Sequence, residues 1–155
     1  MQAGPMVYHL EDLRIGQRFV SRPLPLDAEA IKAFAGQFDP QSFHLDESAA
    51  EASFFAGLAA SGWHTAALTM RLIVESVPLA GGVIGGGVEV TWPQPTRPGD
   101  VLTVENEVVE IKPSRSRPDR GMVTLRASTR NQRGEVVQAM TAKLVVPRRT
   151  HRDEN

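Results

Sequence analysis

Apolar residues recur along this chain with two different periods, and the switch between them divides it near the middle. Ile31, Phe34, Ala35 and Phe38 fall at i, i+3, i+4 and i+7, which predicts a helix with one apolar face. Asp27 precedes it as an N-cap, and Glu29 sits in the first turn, where the helix dipole favours negative charge. The helix should stop by Asp39, because Pro40 disfavours the α region for the residue before it. Asp46-Glu47 opens a second, short helix reaching about Ser53. Ser61 is placed to cap a third, whose apolar positions are Trp63, Ala66, Ala67, Met70, Ile73, Val74 and Val77. Leu68 and Leu72 widen that face, which predicts a largely buried helix. Pro78 ends it, and Gly81-Gly82 adds a flexible break.

After Gly87 the period becomes two. Val88 to Trp92, Val101 to Asn106, Met122 to Arg130 and Val136 to Val146 each alternate apolar with polar and read as strands. Arg97-Pro98-Gly99-Asp100 is a tight turn, Pro113 to Gly121 a longer polar loop, and Asn131 to Gly134 a short hairpin loop. At the start of the chain, Leu10 to Arg14 predicts one helical turn. Gln17 to Leu24 predicts a short edge strand, limited by Pro23 and Pro25. Helices followed by a run of strands make an α+β layout, with an antiparallel sheet wrapped around the buried helix. Residues 1–155 read as one domain, with a polar tail from Arg148 that should fray.

Composition narrows the chemistry. With 155 residues the chain has the size of one domain, and the absence of cysteine excludes disulfides, thiolate catalysis and cysteine-ligated zinc. A net charge of -1 supplies no general field for nucleic acid or an anionic membrane. No apolar run approaches a membrane span, and the start lacks a basic segment followed by an apolar one, so the expectation is a soluble cytoplasmic protein.

The candidate site is Asp39 with His44, expected in an irregular loop that could fold back and bring positions five apart together. An aspartate before proline is otherwise a turn or cap residue, and a lone histidine is otherwise structural. Gly62, at the start of the third helix, offers a backbone N–H without an intrahelical acceptor; its plainer role is close packing. His64 reads as a helix-surface residue, and His9 and His151 lie near the ends with no assigned role. The histidines lack the ligand spacing of a metal site. Asp46 and Glu47 read as helix-start residues. Among the basic residues from Lys112 to Arg120, Arg115 and Arg117 are candidates to bind phosphates, against the plainer reading of a solvated loop. The glycines from Gly81 to Gly87 lead into a strand and lack dinucleotide-loop spacing, so they read as a hinge or close-approach segment.

Asp39-Pro40-Gln41-Ser42-Phe43-His44, followed by Ser61-Gly62-Trp63, resembles the Asp-x-Asn-Pro-x-His signature and glycine-opened helix of the MaoC-like dehydratases. These belong to the hotdog superfamily and include (R)-specific enoyl-CoA hydratases. Gln41 stands for the asparagine and Ser42 for the proline, which predicts a less rigid loop. Trp92 to Asp100 and Ser114 to Gly121 are similar to two further family loops, so the likeness spans nearly the whole chain. The resemblance implies a hotdog fold and reversible hydration of an enoyl thioester. Asp39 and His44 would hold the water, and the Gly62 amide would polarise the thioester carbonyl. Phe43, Ser61, Trp63, Arg115 and Arg117 are the candidate substrate contacts, and Phe54, Phe55 and Met70 further candidates for an acyl wall. No metal or redox cofactor is implied, coenzyme A being part of the substrate. The implied partners are an acyl-CoA or acyl-carrier-protein thioester and a second copy of the chain, in a homodimer or higher oligomer. The rival readings are a hotdog thioesterase and a non-catalytic acyl-CoA or acyl-carrier binding subunit.

Overall fold

Alternation along the strands determines which side of the sheet is covered. In the computed structural model, which describes residues 6–150, the second half forms β3 (Ile84–Thr91), β4 (Val101–Pro113), β5 (Arg120–Arg130) and β6 (Val136–Pro147). On β4, Leu102, Val104, Asn106 and Val108 are buried, while Thr103, Glu105 and Glu107 face the other way. The outer face carries a lattice of exposed ion pairs linking Arg18, Arg126 and Arg130 to Glu105 and Glu107. The inner face packs Val104, Val108, Val123, Leu125 and Leu144 against Leu72, Ile73 and Val77.

All pairings between strands are antiparallel, in the order β1 (Arg18–Val20), β4, β5, β6, β3. The expected single strand at Gln17 to Leu24 is two pieces, β1 (Arg18–Val20) and β2 (Leu24–Pro25), both on β4. Between them the Ser21 hydroxyl accepts from Val104 N at 2.8 Å. β3 does not form a hairpin with β4 but lies at the far edge beside β6. Trp92 to Asp100 instead carries the chain across the sheet, and the expected tight turn Arg97–Asp100 forms at its end, just before β4, with Asp100 N donating to Arg97 O at 3.1 Å and Gly99 at φ +85. β3 also begins earlier than the alternation predicts. Gly85 to Gly87 are strand residues paired to β6 through a bulge, so they are not a hinge, whereas Gly81 and Gly82 do form the break, at φ +76 and +86.

The sheet wraps around α4 (Gly62–Ser76), as expected, and Leu72, Ile73 and the following Val77 are buried as predicted, yet the rest of the buried face is shifted from the predicted one. His64, Thr65, Thr69, Leu72 and Ile73 are buried, whereas Trp63, Met70 and Val74 are exposed. The threonines can face inward because their hydroxyls are satisfied, Thr65 by Thr96 at 3.0 Å and Thr69 by Thr129 at 2.7 Å. Phe38, expected on the apolar face of α1 (Ala28–Phe38), is exposed, while Ile31 and Ala35 are buried. The predicted turn near Leu10 is a 3-10 turn, Leu10–Asp12. Arg148 and Arg149 do not fray: Arg148 N donates to Asp119 O at 2.8 Å, and Arg149 N donates to the Glu11 carboxylate at 3.1 Å. His151 and the rest of the predicted tail lie outside the described residues.

Candidate active site

The end of α1 sets the first side chain. Asp27 caps its start, accepting from Ala30 N at 2.8 Å, and Asp39 takes the C-cap, its N–H still donating to Ala35 O. Pro40 prevents another turn, and Gln41 N turns back to Asp39 O at 2.7 Å. The chain then makes a one-turn helix, α2 (Ser42–Leu45), so His44 sits on a helical turn and not in an irregular loop. Asp46 caps α3 (Glu47–Glu51), which confirms Asp46 and Glu47 as helix-start residues.

Folding back brings the expected pair together. His44 Nε2 lies 3.2 Å from Asp39 Oδ2. The same oxygen accepts from Ser61 Oγ at 2.7 Å, and Oδ1 accepts from Gln41 Nε2 at 2.6 Å. Ser61 is thus the N-cap residue of α4 by position, but its hydroxyl is spent on Asp39 and caps nothing. On the far side of the ring, His44 Nδ1 lies 2.6 Å from Ala59 O. A carbonyl only accepts, so Nδ1 carries a hydrogen, and Nε2 faces a carboxylate that also accepts. One proton must therefore lie between Nε2 and Oδ2 for that contact to attract. Burial raises the Asp39 pKa, but hydrogen bonds from Ser61 and Gln41, with the charge of His44, outweigh it and hold the carboxyl below its ordinary value.

His44 and Gln41 open onto a cavity of about 580 Å³, also walled by Phe43, Phe55, Gly62, Thr65, Trp92 and Arg97. Asp39 does not line the cavity itself but contacts two residues that do, Gln41 and His44. The amides of Gly62 and Trp63 begin α4, and the first backbone N–H groups donating to Ser61 O are those of His64 and Thr65. Gly62 N therefore has no hydrogen-bond acceptor among the described residues, as expected. The space beside its Cα is taken by the Trp92 indole, which a Cβ would meet at 2.8 Å. That indole donates to the buried Gln138 at 2.9 Å and meets Trp63 edge-on at 5.5 Å. The glycine thus serves the packing of Trp92.

Phe43 and Phe55 form cavity wall as anticipated, with ring centroids 5.1 Å apart. Phe54 is exposed at the rim. Trp63 and Met70 instead line a separate apolar groove of about 510 Å³ between α4 and β3. Arg115 and Arg117 are not brought to the site. They lie on the β4–β5 turn beyond Pro113, whereas the site adjoins the opposite end of β4, where Asp100 N donates to Arg97 O at 3.1 Å. His64 is buried rather than on the surface, stacked on Phe34 at 4.5 Å, and burial lowers its pKa. Trp92 and Arg97 also wall the cavity, although nothing in their sequence setting, a strand end and a tight turn, marks their side chains for it. Among the described residues, no three His, Asp or Glu side chains are grouped to hold a metal ion.

A six-stranded antiparallel sheet wrapped around one helix is the hotdog fold. The family model for the MaoC-like domain matches residues 12–131, and the chain belongs to that family. The MaoC-like dehydratase from Rhodospirillum rubrum is similar at 64% identity, covering 92% of this chain and 99% of that one, with a TM-score of 0.90. The uncharacterized protein YdeM of Bacillus subtilis (strain 168) is 35% identical over 126 residues, 80% of this chain and 88% of its own. The (R)-hydratase PhaJ1 from Pseudomonas aeruginosa, unliganded, superposes with a TM-score of 0.73 at 27% identity, covering 91% of this chain and 86% of that one.

Proposed function

We propose that this protein adds water reversibly across the double bond of an enoyl thioester, with coenzyme A or a carrier protein as the thiol. The observation that carries the reading is the Asp39–His44 pair, 3.2 Å apart, beside a cavity lined by both His44 and Gly62. Water held by the pair attacks the β carbon with its oxygen and gives up a proton to the pair. The pair returns its other proton to the α carbon, so it ends as it began. Charge gathers on the thioester oxygen in between, and the Gly62 N–H at the positive end of α4 opposes it. Every step is a proton transfer or an addition, so no metal or redox cofactor is required. Membership of the MaoC-like family and the likeness to an (R)-hydratase support the same chemistry.

The working unit is a dimer acting in the cytoplasm. Trp63, Met70, Val74, Ile84 and Val88 are all more than 40% exposed and lie along α4 and the open edge strand β3, an apolar face that a second copy would cover. Light scattering should then give twice the 16.9 kDa chain mass. No helix among the described residues is long and apolar enough to cross a membrane.

The decisive experiment follows loss of enoyl-thioester absorbance with crotonyl-CoA. Asp39→Asn and His44→Ala should each lose activity by orders of magnitude while remaining folded. A wild type inert on enoyl thioesters of several lengths overturns the reading, and release of free thiol would mark a thioesterase.

A further inference from the structure

Arg97 spends its guanidinium on three backbone carbonyls of one loop. Nη2 donates to Phe55 O at 2.6 Å, and Nη1 donates to Gly57 O at 2.9 Å and Leu58 O at 3.3 Å. The clamped loop is strained. Ala56, at φ +51, is the only non-glycine with positive φ among the described residues, and Gly57 follows at φ +151. Such backbone persists only where its surroundings over-determine it. One residue beyond the clamp is Ala59, whose carbonyl meets His44 Nδ1 at 2.6 Å. The neighbouring Ala60 N is tied to Thr96 O at 2.9 Å, beside Arg97 in sequence.

The anchor of the clamp is itself buried. Arg97 N donates to Asp100 Oδ2 at 2.8 Å, and Asp100 Oδ1 accepts from Gln132 Nε2 at 3.0 Å across the β5–β6 hairpin. Asp100 is only 2% exposed. A rigid path therefore runs from that hairpin through Arg97 to the Ala59 carbonyl and the imidazole.

We infer that Arg97 is a positioning residue of this site: by fastening Phe55 to Leu58 it aims the Ala59 carbonyl at His44 Nδ1 and so fixes the ring orientation that presents Nε2 to Asp39 and water. A group that fixes orientation acts on the chemical step more than on ground-state binding. The inference rests on the hydratase reading for its kinetic consequence, but its structural content can be read without turnover.

The test uses nitrogen NMR of His44, assigned by its loss in His44→Ala, together with crotonyl-CoA kinetics. In Arg97→Ala, the Nδ1 shift should move away from its hydrogen-bonded value as the contact with Ala59 O loosens. The kcat should fall at least tenfold, with KM changed less than threefold and the pH profile displaced. Added guanidinium should restore part of both. Arg97→Lys, which keeps a cation but cannot span three carbonyls, should fold and lie between; it decides the matter where Arg97→Ala unfolds. An Nδ1 shift and pH profile unchanged in either folded variant overturns the inference. An inactive wild type sinks the hydratase reading alone, since the Nδ1 shift would still report the clamp.

Discussion

Replacing Gly62 by alanine separates what this glycine does for packing from what it offers to chemistry. A Cβ there would lie 2.8, 2.9 and 3.0 Å from three carbons of the Trp92 indole, where ordinary contact begins at 3.4 Å, so the ring must retreat by about 0.6 Å. It has little freedom to do so, because Nε1 is bonded to the fully buried Gln138 and the ring abuts Trp63. Overpacking of this kind costs about 1–3 kcal/mol. The gain in helix propensity offsets up to about 1 kcal/mol. Gly62→Ala should therefore destabilise by about 1–2 kcal/mol, measured by urea unfolding. In a Trp92→Ala background the clash is gone, and the same change should be neutral or stabilising. The cycle should yield a favourable coupling of about 1–3 kcal/mol. Additive effects would refute the argument that Trp92 dictates the glycine. The double variant keeps the Gly62 position's N–H, so hydration measured there against Trp92→Ala reports what the methyl does to thioester approach alone.

Other consequences are simpler. Gly121→Ala would put a Cβ 2.9 Å from Lys112 O on the paired strand and 2.7 Å from a Leu10 methyl; the carbonyl cannot yield, so a loss of about 1–3 kcal/mol in chemical denaturation is expected. Thr69→Val should cost about 1–3 kcal/mol by leaving the buried Thr129 hydroxyl unpaired, and Thr69→Val with Thr129→Val together should recover most of it. His64 is buried with a lowered pKa, so the unfolded chain binds its proton more readily than the folded one. Its stabilising contribution is present above about pH 6.5 and is lost as pH falls, and melts of His64→Phe should show a flatter decline below that pH than wild type. Asp39 behaves alike in a lower window: its lowered pKa stabilises above about pH 3.9 and is lost below, and Ser61→Ala should shrink that loss.

The sequence declared periods more faithfully than faces. Helices at Ala28–Phe38 and Gly62–Ser76 and the long strands were legible because a repeat of 3.6 or 2 survives in single residues. The buried face of α4 was misread because Thr65 and Thr69 look polar until their hydroxyl partners, 31 and 60 residues away, are known. Trp63, Met70 and Val74 looked like core and are exposed. Asp39, His44 and Gly62 were legible as a group through their likeness to the MaoC-like signature, and the reversal after Pro40 and the start of α4 are what bring them near one another. Arg97 was not, since its three acceptors lie some 40 residues upstream in an irregular loop. Arg115 and Arg117 were drawn in by charge alone, and strand register carries them to the other end of the sheet.

The Asp39 carboxylate also limits where a substrate water can sit. A carboxylate offers about four acceptor positions. Ser61 and His44 both converge on Oδ2, while Gln41 takes one position on Oδ1. The remaining acceptor direction is on Oδ1, on the Gln41 side of the pair, and Gln41 is itself part of the cavity wall. In the hydration chemistry proposed above, a water bound by Asp39 thus enters beside the Gln41 amide. Of the two residues that depart from the family signature, Gln41 is then the one next to the nucleophile. Its side chain bends back to Asp39 at 2.6 Å, which supplies by hydrogen bonding some of the rigidity that the missing proline at Ser42 would have supplied by its ring.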